Sequence, residues 1–313
     1  MSEICLVTGG AGFIGSHLAT ELTARGRPVR IFDNFSTGLR ENLAAIHPQP
    51  EIVEGDLGDA AAVQRAMAKV DVVYHIGALA SVQRSVENPE ITHLACATGT
   101  VHVLNAARRC GVRRVVYAAS SSAYGGLSSE AGQSEDAPTR PLSPYAVAKL
   151  SGELYAQAFS ATYGLETVST RFFNVFGPRQ RGDSPYSGVI ALFIAAMTAG
   201  RTPTVHGDGL QSRDFTYVAN AVQALIKAAE TPGVSGNVYN IGTGRSITVL
   251  ELVNALNRLL GTKLVPKHGP TRAGDVRYSR ADISRARKDL GYEPGVSFEE
   301  GLEKTLHWYR EKA

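Results

Sequence analysis

Cysteine is scarce in this chain: three in 313 residues, at Cys5, Cys96 and Cys110, an odd number set in apolar surroundings. That argues against a disulfide-stapled scaffold and leaves reduced core thiols as the expectation. The eight histidines show no metal-ligand spacing, so no metal centre is expected. A net charge of +3 with no basic tract argues against a nucleic-acid partner. No apolar run is long enough to span a bilayer and no leading segment has a signal-peptide pattern, so a cytoplasmic protein without a membrane partner is expected. Internal repeats and low-complexity linkers are missing too. What remains has ample material for a core, enough for one large domain plus a smaller lobe.

Glycine supplies the first positive signal. The apolar run Ile4-Cys5-Leu6-Val7 leads into Thr8-Gly9-Gly10-Ala11-Gly12-Phe13-Ile14-Gly15, which reads as a strand, a tight turn and a helix start. Gly9, Gly12 and Gly15 let the backbone approach a pyrophosphate and let helix pack closely on strand, with the anion at the helix N-terminus. A second strand, Val29-Arg30-Ile31-Phe32, ends in Asp33, a carboxylate placed to accept hydrogen bonds from adenosine ribose hydroxyls. Asp33 would repel a 2′-phosphate, and neither Arg30 nor Arg40 is placed to offset it, so the cofactor is read as NAD rather than NADP. A third strand ends in Glu54-Gly55-Asp56-Leu57, where Asp56 either reaches the adenine or caps the next helix.

Two further pieces carry chemistry. Ser120-Ser121-Ser122 follows a predicted strand, and Tyr145-Ala146-Val147-Ala148-Lys149 opens a predicted helix. Ser143 is a good N-cap and Pro144 suits the first helical position, so Tyr145 falls in the first turn, at the positive end of the helix. Tyr145 and Lys149, four residues apart, share one helix face. A free phenol titrates at about pH 10, and a cation held beside it favours the phenolate. Lys149 is read as that cation, which brings proton abstraction by Tyr145 within reach of neutral pH.

Strands are predicted near 4–8, 29–33, 51–55, 71–76, 114–120, 167–172 and 238–242, alternating with helices near 12–25, 59–69, 88–110, 144–163 and 216–230. Such alternation makes an α/β fold with a doubly wound parallel sheet. Residues 1–173 plus about 216–242 are expected to form a Rossmann NAD-binding domain. Residues 174–215 plus about 243–313 are expected to form a smaller mixed α/β lobe over the carboxyl edge of the sheet, where open α/β sheets bind ligands. Ser297-Phe298-Glu299-Glu300 reads as a capping box opening a last, structural helix.

At this point the chain resembles the extended short-chain dehydrogenase/reductases, and within them the nucleotide-sugar 4-epimerases of the UDP-galactose and UDP-N-acetylglucosamine type. The resemblance covers almost the whole length. It rests on Thr8 to Gly15, Asp33-Asn34, Asp56-Leu57, His75 to Ala80, Ser120 to Gly125, Tyr145 to Lys149, Arg171 to Gln180, His206 to Gly209, Arg213-Asp214-Phe215 and Arg272 to Asp275. It implies NAD as cofactor, a UDP-sugar as substrate and no net redox change. Tyr145 would remove the proton of the sugar 4-hydroxyl as the C4 hydride moves to NAD⁺. The 4-keto sugar would swing about its diphosphate link, and hydride and proton would return to its other face.

The same resemblance implies residue roles. Ser120, four residues before Tyr124-Gly125, joins Tyr145 and Lys149 as the catalytic set; which of Ser120, Ser121 and Ser122 meets the 4-hydroxyl stays open. NAD would be held by Gly9, Gly12, Phe13, Ile14 and Gly15, by Asp33, Asn34, Ser36, Thr37 and Gly38, and by Asp56, Leu57, Ala78, Ala80, Tyr145, Lys149 and Phe172. The UDP-sugar would be held by Ala80, Ser81, Ser121, Ser122 and Asn174, by Ser187, Val189, His206 and Arg213, and by Arg272, Asp275 and Ser279. Asn174, Arg213 and Arg272 suit the nucleotide, since Arg recognises phosphate with fixed, charge-assisted geometry.

Departures from the family pattern narrow the reaction. Resembling 4,6-dehydratases carry Asp and Glu where Ser121 and Ser122 stand, and the decarboxylases need a Glu at the second position, so both readings lose their proton-transfer groups. Ser279 stands seven residues after Arg272, where glucose-restricted epimerases often place a bulky Tyr, and Ala80 stands where they can carry Lys. Both enlarge the sugar pocket, so UDP-N-acetylglucosamine and UDP-N-acetylgalactosamine are expected substrates, with UDP-glucose and UDP-galactose beside them. Three alternatives stand: a UDP-glucuronate 4-epimerase, with Arg84 or Arg181 meeting the carboxylate; a net NAD(P)-dependent reductase; and a non-catalytic nucleotide sensor. Cys96, where many relatives have Asn, receives no role. A homodimer is expected, through the helices near 88–110 and 144–163.

Overall fold

Six strands are apolar enough to be buried on both faces, and with one edge strand they assemble in parallel. In a computed structural model, residues 3–125, 132–183, 187–271 and 276–312 are described. The strands are β1 (Cys5–Thr8), β2 (Val29–Asp33), β3 (Glu51–Glu54), β4 (Val72–His75), β5 (Arg114–Ser120), β6 (Glu166–Phe172) and β7 (Val238–Ile241). They form one sheet in the order β7-β6-β5-β4-β1-β2-β3, every pair parallel. The order reverses between β1 and β4, and a crevice at the carboxyl ends of strands is expected at such a switch point. β1 is buried at every residue, whereas β3, at the edge, exposes Glu51, Ile52 and Glu54, charges that blunt edge pairing.

Helices α1 (Phe13–Ala24), α2 (Ala60–Ala66), α3 (Val82–Glu87), α4 (Pro89–His93), α5 (Gly99–Cys110), α6 (Pro144–Tyr163), α7 (Val189–Thr198), α8 (Val218–Glu230), α9 (Val249–Leu260), α10 (Ser284–Leu290) and α11 (Phe298–Lys312) complete the chain. Among the described residues no helix is long and apolar enough to cross a membrane. One apolar core runs from Val7 and Leu18 through Phe176 and Phe193 to Leu252 and Leu302, so the stretches 174–215 and 243–312 pack into the same interior as the sheet.

The helix expected near 88–110 runs from Pro89 to Cys110, with Asn88 as its cap at φ −138° and with Leu94–Thr98 widened into a π turn between α4 and α5. Two local expectations are corrected. The helix expected from 216 begins at Val218, because Thr216–Tyr217 pair in parallel with Val175–Phe176. The cap of α2 is Asp59, whose Oδ1 accepts the Ala61 and Ala62 N–H groups, not Asp56. At the last helix, the Glu300 N–H donates to Ser297 Oγ at 3.1 Å, as its capping pattern requires.

A buried ion pair fixes α6 against the sheet. Arg171 of β6 donates from Nε and Nη2 to the two carboxylate oxygens of Glu153 on α6, at 2.8 and 2.6 Å, with side chains only 5% and 2% exposed. Its Nη1 donates to the Tyr124 hydroxyl at 2.8 Å, and that hydroxyl donates to Asn240 Oδ1 of β7 at 2.7 Å. Replacing a buried pair by apolar groups is often harmless, but removing one partner strands a charge at a cost of about 3–5 kcal/mol. Arg171→Ala is therefore expected to lower unfolding stability by about that much in urea, with Arg171→Met/Glu153→Leu recovering most of it. A single-variant loss below about 1 kcal/mol would show that the Glu153 charge is relieved another way.

Candidate active site

The switch point is where the backbone comes closest to itself. Gly9 has φ +65°, and a Cβ there would lie 2.6 Å from Gly77 Cα in the turn after β4. A Cβ on Gly15 would lie 2.2 Å from the Gly9 carbonyl oxygen. No side chain caps α1 and no acidic residue stands in its first turn, so its positive end faces the turn uncompensated. Phe13 and Ile14 in that turn are half-buried.

Asp33 closes one side of this cradle. It is buried, with Oδ2 accepting the Ala11 N–H at 2.9 Å and Oδ1 the Phe35 N–H at 2.8 Å, so each oxygen retains capacity for another donor. Gly38 is pressed on it: a Cβ there would be 3.0 Å from Asp33 Oδ2. Asn34 Nδ2 donates to Asp56 Oδ2 at 2.5 Å, and the Ser36 N–H and hydroxyl both donate to Asn34 Oδ1. Thr37 is exposed beside them. Asp33, Asn34, Ser36, Gly38 and Asp56 thus come together at the ends of β2 and β3. Arg40 pairs with Glu54 at 2.5 Å and lies over the Phe35 ring, and Arg30 pairs with Glu51 at 2.8 Å, so both cations are engaged elsewhere. Leu57 packs beneath Gly77, Ala78 packs on Cys96, Ala97 and Ala148, Phe172 is half-buried at the end of β6, and Ala80 is exposed. Two backbone approaches that a Cβ would fill, a free helix end and a carboxylate at the end of β2 together fit NAD.

A neutral histidine props this turn. Thr100 Oγ1 donates to the Cys96 carbonyl at 2.5 Å, so it accepts from His75 Nε2 at 3.0 Å; Nδ1 is then bare and accepts from Thr8 Oγ1 at 2.7 Å. Thr8 Oγ1 in turn accepts the Gly77 N–H at 3.1 Å. Burial pushes the His75 pKa down to about 3, so the chain of donors stays intact across physiological pH.

The catalytic candidates meet as the helix start requires. Ser143 Oγ accepts the Ala146 N–H at 3.2 Å and Pro144 opens α6. Burial raises the Tyr145 phenol above the ordinary range, and the Ser120 hydroxyl beside it acts in the opposite direction. Lys149 is 3% exposed, its Nζ 4.6 Å from the centre of the Tyr117 ring, and burial lowers its pKa to about 8. The ammonium rests on the Tyr117 ring, and the Ser120 hydroxyl is a neighbour that favours the Tyr145 phenolate. Desolvation outweighs the attraction, pushing both groups toward neutrality. Ser122 donates its hydroxyl to Ser120, and Ser121 opens the 3-10 turn Ser121–Tyr124.

On the substrate side, Asn174 (φ +33°) donates from Nδ2 to the Asp214 carbonyl at 3.1 Å and to Ser279 Oγ at 3.4 Å. The fully buried Asp214 carboxylate accepts the N–H and hydroxyl of Thr243 and the N–H groups of Gly244 and Ala281. Arg213, half-buried, lies in the strand Ser212–Arg213. His206 Nδ1 faces the Pro270 carbonyl, Ser187 and Val189 flank the N-cap of α7, and Ser81 caps α3. Arg272 and Asp275 lie outside the described residues. Two polar groups that shape the site had no role from sequence, Glu153 and Asp214. Glu153 carried a signal, since it continues the four-residue spacing of Tyr145 and Lys149 on one face of α6; Asp214 stands in the Arg213-Asp214-Phe215 stretch on which the resemblance rests.

Residues 5–242 match the model of the NAD dependent epimerase/dehydratase family. The chain belongs to that family. It is 39% identical over 311 residues to a UDP-glucose 4-epimerase of Mycolicibacterium smegmatis, covering 98% of this chain and 99% of that one. Among solved structures it is similar to the UDP-N-acetylglucosamine 4-epimerase of Methanobrevibacter ruminantium in complex with UDP-N-acetylmuramic acid (37% identity, TM-score 0.94, all of both chains). It is also similar to MoeE5 in complex with UDP-glucuronic acid and NAD (36% identity, TM-score 0.88, all of both chains). The family span contains the glycine turn, Asp33, Ser120, Tyr145 and Lys149 but ends before Ser279. Membership therefore covers the chemistry more firmly than the choice of sugar.

Burial of Lys149 has a measurable sign. Its ordinary pKa of 10.5 falls to about 8 in the fold. Below about pH 8 both folded and unfolded chains hold the proton and the buried ammonium costs stability; from there to about 10.5 the unfolded chain binds more protons, so stability rises by up to about 1 kcal/mol per pH unit. Urea unfolding of NAD-free protein is expected to show that rise relative to Lys149→Met, and a flat difference would contradict the buried position.

Proposed function

We propose that this protein is an NAD-dependent UDP-sugar 4-epimerase working through a 4-keto intermediate. The observation that carries this reading is that Ser120, at the end of β5, and Tyr145 and Lys149, in the first turns of α6, are packed together at the carboxyl end of the sheet beside the glycine turn. NAD, when bound, supplies the acceptor that takes the C4 hydrogen with its electron pair and later returns it. Tyr145 takes and returns the O4 proton, and Ser120 orients that oxygen. The lobe from 174–215 and 243–313 holds the nucleotide, with Asn174, Arg213 and Arg272 on its phosphates and base. Ser121 and Ser122 supply no carboxyl group, which argues against the dehydratase branch of the family.

The substrates we propose are UDP-N-acetylglucosamine and UDP-N-acetylgalactosamine, with the plain hexoses also accepted. Ser279 is small, buried and against Asn174, and Ala80 is exposed, so neither fills the space a 2-acetamido group needs. A uronate reading draws support from the likeness to MoeE5 with UDP-glucuronic acid. Against it, Arg181 already holds Asp183 through two bonds at 2.8 and 2.9 Å.

Purified protein given UDP-N-acetylglucosamine and no added cofactor is expected to equilibrate it with UDP-N-acetylgalactosamine, followed by NMR. Turnover that needs stoichiometric NAD(P)H would instead establish a reductase, and silence with every UDP-sugar would favour a sensor. Tyr145→Phe is expected to lose roughly 10²–10⁴-fold in kcat. Ser279→Tyr is expected to suppress acetylated substrates while sparing UDP-glucose; equal loss on both, at unchanged Tm, would remove Ser279 as the size filter.

The homodimer we propose is built on the outer face of α3, α4 and α6. Val86, Ile91, Leu94, Leu142, Val147 and Leu154 are exposed there, a larger apolar patch than isolated surface residues make. A second copy burying it through α6 would explain why Leu154 faces solvent. Leu154→Glu is expected to shift the protein from dimer to monomer in light scattering, and a wild-type monomer at micromolar concentration would refute the assembly.

A further inference from the structure

Ser120 has three hydrogen-bonding positions, one proton and two lone pairs. It ends β5 and caps the 3-10 turn that follows, so its Oγ accepts the Ser122 N–H at 3.2 Å. The same Oγ accepts the Ser122 hydroxyl proton at 2.8 Å. Both lone pairs are thereby filled from one residue, and only the Ser120 proton is left to give, with Tyr145 the neighbouring phenol that Ser120 influences. A hydroxyl in that condition can donate but cannot accept, and so cannot pass a proton along.

We infer that Ser122 is a positioning residue that commits Ser120 to donating, so that the substrate proton goes directly to Tyr145 rather than through Ser120. The inference rests on the epimerase reading proposed above. In the step it describes, the O4–H bond breaks, its electron pair stays on O4, and a lone pair of the Tyr145 phenolate forms the new O–H bond. Ser120 keeps its own proton throughout and hydrogen-bonds the oxygen that carries negative charge. Removing the Ser122 hydroxyl frees a lone pair, lets the Ser120 side chain turn, and opens the relay that the native arrangement closes. It also explains why a polar serine stands where resembling dehydratases carry Glu: its partner is Ser120, not the sugar.

The experiment compares holoenzyme, Ser122→Ala and Ser122→Thr on whichever UDP-sugar is turned over. Ser122→Ala is expected to lower kcat about tenfold, the worth of one well-placed hydrogen bond, with KM changed less than about twofold. Its pH–rate profile is expected to move to higher pH, because Ser120 no longer favours the phenolate, and Ser122→Thr is expected to recover both. Rates in mixtures of H₂O and D₂O are expected to fall linearly with deuterium in the wild type, one proton moving. A curved dependence in the wild type would show a relay through Ser120 and overturn the inference, as would wild-type kcat and pH profile in Ser122→Ala. Crystal structures of the two holoenzymes need no turnover: Ser120 is expected in one rotamer in the wild type and in more than one in Ser122→Ala. Should no UDP-sugar react, the proposed function fails while the rotamers still decide the role of Ser122.

Discussion

Two opposite charges that cannot reach water fix the geometry of this protein's site. Arg171 and Glu153 are each almost wholly buried, and neither can leave the other without stranding a charge in the interior. Their two-pronged contact therefore sets the rotation of α6 about its own axis against β6. Tyr145 and Lys149 lie eight and four residues before Glu153 on the same face, so setting Glu153 aims them as well. The third nitrogen of the Arg171 fork reaches the Tyr124 hydroxyl, at the far end of the turn that begins with Ser120. One guanidinium thus ties together the helix that carries the phenol and the turn that carries the serine. Side chains held on a helix and at the end of a strand keep their separation far better than side chains on a loop.

The same interior that holds the groups still also makes them reluctant to ionise. Desolvation raises the Tyr145 phenol and lowers the Lys149 ammonium, and an aromatic face is a weaker partner for that ammonium than a carboxylate would be. Attractions are stronger there for the same reason, so each hydrogen bond aimed at the phenol counts for more than it would in water. That is why a second hydroxyl behind Ser120 matters. It costs the site no charge, and it decides which way a neighbouring dipole points.

What was legible in the sequence was local. The strand ahead of Gly9, the carboxylate ending β2 and the Ser143-Pro144 helix start depend on residues within a few positions of one another, and these elements stand where the pattern placed them. What was hidden depends on residues far apart. Thr216-Tyr217 reads as the first turn of a helix until Val175-Phe176 offers a strand to pair with. Asp56 reads as a cap until Asn34, 22 residues earlier, engages it and leaves the capping to Asp59. Spacing puts Lys149 on the face of Tyr145, but the Tyr117 ring of β5 that its ammonium rests on is far away in the chain. Spacing along one helix fixes which side chains share a face; what that face meets is set by another strand.

The sugar selectivity proposed above would rest on how the segment around Ser279 is anchored. Asp214 is fully buried, and although burial raises its pKa, four donors from Thr243, Gly244 and Ala281 hold the carboxylate. These donors come from the chain just after β7 and from the segment two residues beyond Ser279, while the Asp214 carbonyl takes the Asn174 side chain. Asn174, Ser279 and the end of β7 are therefore held by one residue, on a backbone with little freedom to yield. In such a frame the pocket proposed for the sugar could not widen by moving a loop without breaking bonds to a buried carboxylate, which is costly. Its size must then be set by the side chains that line it. A serine at 279 leaves the room that a tyrosine would occupy, and the frame that holds it would keep that room open whether or not a sugar is present.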